Sequence, residues 1–62
     1  MDASQIRAGK YYLIRDPFEG ETFVALAIER SRNARDSWHC QRWDGRKLLM
    51  PATTFVREAD PW

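Results

Sequence analysis

Thr22-Phe23-Val24-Ala25-Leu26-Ala27-Ile28-Glu29-Arg30 is the stretch on which the fold turns, because its residues support two readings. As a strand it alternates with a period of two, placing Val24, Leu26 and Ile28 on one face and the small Ala25 and Ala27 on the other. As part of a helix, Glu21 to Arg35 is rich in Ala, Leu, Glu and Arg, all good helix formers, and would run for about four turns. The helical alignment gathers Phe23, Leu26, Ala27, Arg30 and Ala34 into a poor apolar stripe and leaves Val24 and Ile28 off its centre. The strand uses all three branched residues. It is therefore the reading adopted, with Val24, Leu26 and Ile28 expected to face the core.

The neighbouring segments follow the same pattern. Gly9 to Arg15 holds Tyr11, Tyr12, Leu13 and Ile14, enough aromatic and branched character for a first strand, and Asp16-Pro17 ends it because proline cannot extend a ladder. Ser37 to Trp43 reads as a third strand, and Asp44-Gly45 joins it in a hairpin to a fourth, Lys47 to Met50. Pro51-Ala52-Thr53 reads as a 3₁₀ turn and Thr54 to Arg57 as a last short strand. At the N-terminus, Asp2, Gln5 and Gly9 suit one helical turn over Ala3 to Ala8, with Asp2 and Gln5 as a capping pair and Gly9 as its stop.

From Gly9 to Arg57 this layout resembles small SH3-like barrels, through Gly9 opening a strand, the Asp44-Gly45 turn and Pro51 preceding Phe55. The resemblance implies an all-β domain: a small five-stranded SH3-like barrel with one 3₁₀ turn before the last strand. Residues 1–8 would form an N-terminal segment, 9–57 the barrel and 58–62 a tail. Type II dihydrofolate reductases share that architecture and line a common pore with a Val-Gln-Ile-Tyr strand. Here Lys47-Leu48-Leu49-Met50 stands at the comparable place, so the likeness transfers no catalytic residue.

Sixty-two residues suffice for one domain only, and a chain this short buries about 60% of its unfolded surface. A composition 44% hydrophobic, with three Trp, two Tyr, three Phe and only three Gly and three Pro, excludes disordered and low-complexity classes. The resulting core is small, and self-association into a homo-oligomer is a natural way to supplement it. A single cysteine, Cys40, removes any disulfide framework and points to a reducing, cytoplasmic setting. Asp2, Arg7, Lys10, Arg15 and Asp16 interrupt the first twenty residues, so neither a signal peptide nor a membrane partner is expected.

Catalytic chemistry finds little support. His39 and Cys40, the one histidine and the one cysteine, are neighbours and on a strand face opposite sides, so they make neither a nucleophilic dyad nor a metal chelate. Glu19 and Glu21 flank Gly20 in a loop, and the isolated glycines at 9, 20 and 45 form no phosphate-cradling run. No enzymatic activity, cofactor or metal is expected.

Charge distribution is more informative. Arg30, Arg32, Arg35, Arg42, Arg46 and Lys47 stand against Asp36 and Asp44, a local charge of +4, whereas the rest of the chain carries −3. Trp38 shares a strand side with Cys40 and is expected inside. Trp43 falls on the opposite side, outward with His39 and Gln41. Arg32, Arg35, His39, Arg42, Trp43, Arg46 and Lys47 thus form the expected contact edge. Arginine forks suit phosphate and tryptophan suits base stacking, which makes nucleic acid the first expected partner. The sequence pI of 7.9 lies below the range usual for such domains. A protein partner, met by an adaptor or inhibitor through the same surface, is the alternative. Trp62, after Pro61, is expected to fold back over the end of the barrel.

Overall fold

The computed structural model describes residues 1–60, and the expectation for Trp62 lies outside them. Two 3₁₀ turns and five strands follow one another: η1 (Ala3–Gln5), β1 (Tyr11–Arg15), β2 (Thr22–Arg30), β3 (Ser37–Arg42), β4 (Lys47–Pro51), η2 (Ala52–Thr54) and β5 (Phe55–Glu58). All strand pairings are antiparallel, in one sheet of order β4-β3-β2-β1-β5. There is no α-helix among the described residues, so the helical reading of residues 21–35 is excluded. β4 and β5 are the two edges of the sheet, which is not closed on itself.

β2 joins the two halves. Its residues 22–26 pair with β1 and its residues 25–30 with β3, so the nine-residue strand is shared by both partners. Ile28 is the extra residue of a bulge: Ala27 lies opposite Cys40 and Glu29 opposite His39, leaving Ile28 unmatched. Such a bulge bends its strand and increases the local twist.

The faces of β2 are the reverse of the expectation. Phe23, Ala25 and Ala27 are buried, Val24 and Leu26 are half-buried, and Ile28 is exposed. The bulk filling the core comes instead from other elements: Tyr12 and Ile14 of β1, Trp38 of β3, Phe55 of β5 and Ile6 of the N-terminal segment. Alanine methyls on β2 leave these large side chains room. Tyr12 and Phe55 meet edge to face with centroids 5.5 Å apart, the arrangement their ring quadrupoles favour.

The N-terminal segment is part of this core. The capping pair of Asp2 and Gln5 forms, but the turn ends at Gln5 and the chain becomes extended at Ile6, which is buried with Ala3. Trp38 Nε1 donates to the Ala3 carbonyl (3.0 Å), and the Arg7 amide donates to the Tyr12 hydroxyl (2.9 Å). Both bonds satisfy polar atoms that burial would otherwise penalise. Trp38 and Cys40 are inside, as their shared strand side implies. Among the described residues, no helix is long and apolar enough to cross a membrane.

Candidate binding groove

With the alanine side of β2 turned inward, the outer side of the sheet carries its larger neighbours. Across the strands, Tyr11 pairs with Leu26, Leu26 with Gln41 and Gln41 with Lys47, while Leu13 pairs with Val24 in the next row. An antiparallel sheet with one solvated face normally presents polar residues there. Here Tyr11, Leu13, Val24 and Leu26 form an apolar centre instead.

A groove of about 570 Å³ runs over this face, from Tyr11 and Leu26 through Val24 and Gln41 to Trp43 and Gly45. Glu21, Thr22, Phe23 and Arg42 complete its walls. The turn at its end is built by the chain itself. Gly45 adopts φ 88°, a left-handed conformation that L side chains resist, and its amide donates to the Arg42 carbonyl at 3.0 Å. The Asp44 carboxylate accepts from the Arg46 amide at 3.0 Å. Held on this turn just beyond β3, Trp43 is 83% exposed.

The basic residues separate into groups. Arg42 shares the core side with Cys40, and its guanidinium lies 4.6 Å from the centroid of the Phe23 ring while Nη2 donates to Glu21 Oε1 at 3.3 Å. Its Nε is buried and finds no partner among the described residues, so Arg42 is a wall of the groove rather than a free edge charge. Arg46 and Lys47 are exposed and form no ion pair among the described residues. Arg32 and Arg35 lie in the loop of residues 31–36, where Asp36 accepts from Arg30 at 3.2 Å and lies 4.0 Å from Arg35. That loop and the Trp43 turn lie at opposite ends of β3, about 20 Å apart for a strand of that length. His39 is half-buried on the outer face between Glu29 and Leu49.

The structure therefore places Trp43 in the groove lining with Arg46 and Lys47 following it just outside that lining, and leaves Arg32 and Arg35 at the far end. Tyr11, Leu26, Gln41 and Glu21 are groove residues that sequence reasoning did not single out. The alternation of β2 shows that Leu26 lies opposite the alanines, but which of the two sides turns outward is set by side chains on other elements. Cys40 is fully buried, and that burial pushes its thiol up to about 11, so it is an inert core residue at neutral pH. Among the described residues, no cluster of three metal-ligating side chains occurs.

Comparison with protein-family models, with curated proteins and with solved structures finds no match to this chain.

Proposed function

We propose that this chain is a small non-catalytic binding module of cytoplasmic setting, built as an incompletely closed SH3-like barrel, which holds single-stranded nucleic acid across the outer face of its sheet. The observation carrying this reading is Trp43, 83% exposed on a turn fixed by its own hydrogen bonds, followed in the chain by Arg46 and Lys47, which form no ion pair among the described residues. A base stacks on an indole whatever its identity, and cations beside it meet the flanking phosphates. Tyr11 and Gln41 along the groove supply a second aromatic surface and a polar contact. Arg32 and Arg35 serve as a separate contact point for a strand long enough to cross the sheet, and His39 lies between the two ends.

Fluorescence-anisotropy titration of short single-stranded oligonucleotides over a salt series tests this. Trp43→Ala is expected to weaken binding by roughly 1 to 3 kcal/mol without changing the salt slope. Replacing Arg46 and Lys47 together with Ala is expected to flatten the slope of log affinity against log salt by about 1.4, for two phosphate contacts. No binding by the native chain at low salt overturns the proposal. The alternative, a protein partner, draws on the apolar centre formed by Leu13, Val24 and Leu26; its interface would persist at salt concentrations that dissolve phosphate contacts.

A further inference from the structure

The most exposed large apolar side chain among the described residues belongs to neither the core nor the groove. Phe18, at the tip of the loop of residues 16–21 between β1 and β2, is 94% exposed. The loop around it is firmly made. The Asp16 carboxylate accepts from the amides of Phe18 (2.8 Å) and Glu19 (3.4 Å). The Gly20 amide donates to the Asp16 carbonyl at 2.9 Å, and the Asp16 amide to the Glu21 carbonyl at 2.7 Å. Pro17 fixes its own φ just before the ring. A phenyl ring held out on a preformed loop loses little conformational freedom when a partner covers it.

Its surroundings indicate what that partner offers. Three carboxylates fall within six residues of the same loop: Asp16 is held by the loop amides and Glu21 by Arg42, which leaves Glu19, next to the ring in the chain and with no ion pair among the described residues, for a partner. The groove presents the complement, with Trp43 and Tyr11 for the ring, while the exposed Arg46 and Lys47, which follow the Trp43 turn and of which Lys47 pairs with the groove residue Gln41, stand beside it for a carboxylate; Arg42 is already paired with Glu21. A planar ring flanked by anions is also the chemistry of a nucleotide, so a groove suited to one suits the other. The loop leaves the sheet at the end where β2 begins, and the groove opens at that end, lined there by Glu21 and Thr22.

We propose that the groove's protein occupant is a second copy of this chain, with Phe18 of each protomer seated against Trp43 and Tyr11 of the other in a two-fold dimer. The pairing is isologous, because each chain carries both the ring and the groove. It stands on the loop and the groove lining and does not depend on the nucleic-acid reading, but it makes dimerisation and oligonucleotide binding mutually exclusive where both use the groove. An interface built on one ring per subunit lies at the small end of specific contacts, so a dissociation constant on the order of 10 µM is expected.

Sedimentation velocity from low micromolar to submillimolar protein tests it. The native chain is expected to pass from monomer to dimer across that range. Phe18→Ser, which removes a side chain outside the core, is expected to weaken the dimer at least about tenfold with an unchanged circular dichroism spectrum. Glu19→Lys is expected to weaken it several-fold. Trp43→Ala is also expected to weaken it, and the double variant should be little weaker than either single one, because both remove the same contact. A native chain that stays monomeric throughout overturns the proposal. So does a dimer insensitive to Phe18→Ser, or one in which the two substitutions act additively.

Discussion

The two sides of β2 differ in a way opposite to their size. Its buried side carries Ala25 and Ala27 beside Phe23, and its outward side carries Val24, Leu26 and, at the bulge, Ile28. In a two-layer protein the larger apolar set would cover the core. In this chain, five strands and a short N-terminal segment must enclose Tyr12, Ile14, Trp38 and Phe55 at close range, and methyl groups on the central strand make that possible. The difference teaches that the outward side is apolar because the core had no place for it, which leaves a surface available for binding.

The sharpest way to break this comparison is to charge each side in turn. Ala27→Asp, at a site with no exposure, buries an unpaired carboxylate at a cost of several kcal/mol. A chain of this size commands only about 3 to 5 kcal/mol in all, so the variant is expected to be unfolded by circular dichroism. Leu26→Asp, on the outer side, is expected to stay folded and lose less than about 1.5 kcal/mol in urea titrations. Unfolding of Leu26→Asp together with a stable Ala27→Asp would reverse the assignment of faces.

Alkaline pH probes the buried side without a bulky change. The Cys40 thiol ionises at 9.0 in its ordinary state but only at about 11 in the fold. Folding therefore retains a proton that the unfolded chain releases between these values. The associated stability is fully present below pH 9 and is lost as pH rises toward 11, by on the order of 2 to 3 kcal/mol. Urea unfolding at pH 8 and pH 10.5 should show this loss in the native chain and a smaller one in Cys40→Ala.

A smaller effect is expected where the buried side meets the N-terminal segment. Trp38→Phe removes the donor to the Ala3 carbonyl and leaves that acceptor unpartnered, at a cost of about 1 to 3 kcal/mol in chemical denaturation. Smallest in stability is Tyr11→Ala. At a residue 36% exposed it is expected to shift unfolding by less than about 1 kcal/mol, while weakening oligonucleotide binding measurably in anisotropy titrations. Equal losses of stability for Trp38→Phe and Tyr11→Ala would erase the contrast between the faces.

Much of the architecture was legible in local chemistry. The limits of β2 agree with the alternating stretch, and Asp44-Gly45 marks the turn between β3 and β4. Pro51 precedes the 3₁₀ turn before β5, and Asp2 and Gln5 cap the first turn. These features depend on a few neighbouring residues: proline fixing φ, glycine accepting a positive φ, and side-chain oxygens meeting nearby amides. The inward placement of Trp38 and Cys40 also follows from strand parity, whereas Trp43, expected outward on the strand, is exposed because it lies on the turn beyond β3.

Three properties were decided only by tertiary structure. Which side of β2 faces inward depends on the volume that Tyr12, Trp38 and Phe55 already occupy, a quantity no window of β2 contains. Arg42, one of a run of arginines in sequence, becomes a wall of the groove because Phe23 and Glu21, some twenty residues earlier, come to lie beside it. Arg32 and Arg35 separate from Trp43 and Arg46 because the six residues of β3 lie between loop and turn. Sequence alone determined that this chain makes five short strands punctuated at proline, Asp-Gly and capping residues, with the third and fourth in a hairpin, since those choices are energetically local. Packing of distant side chains around a very small core decided which residues remained at the surface to form a groove.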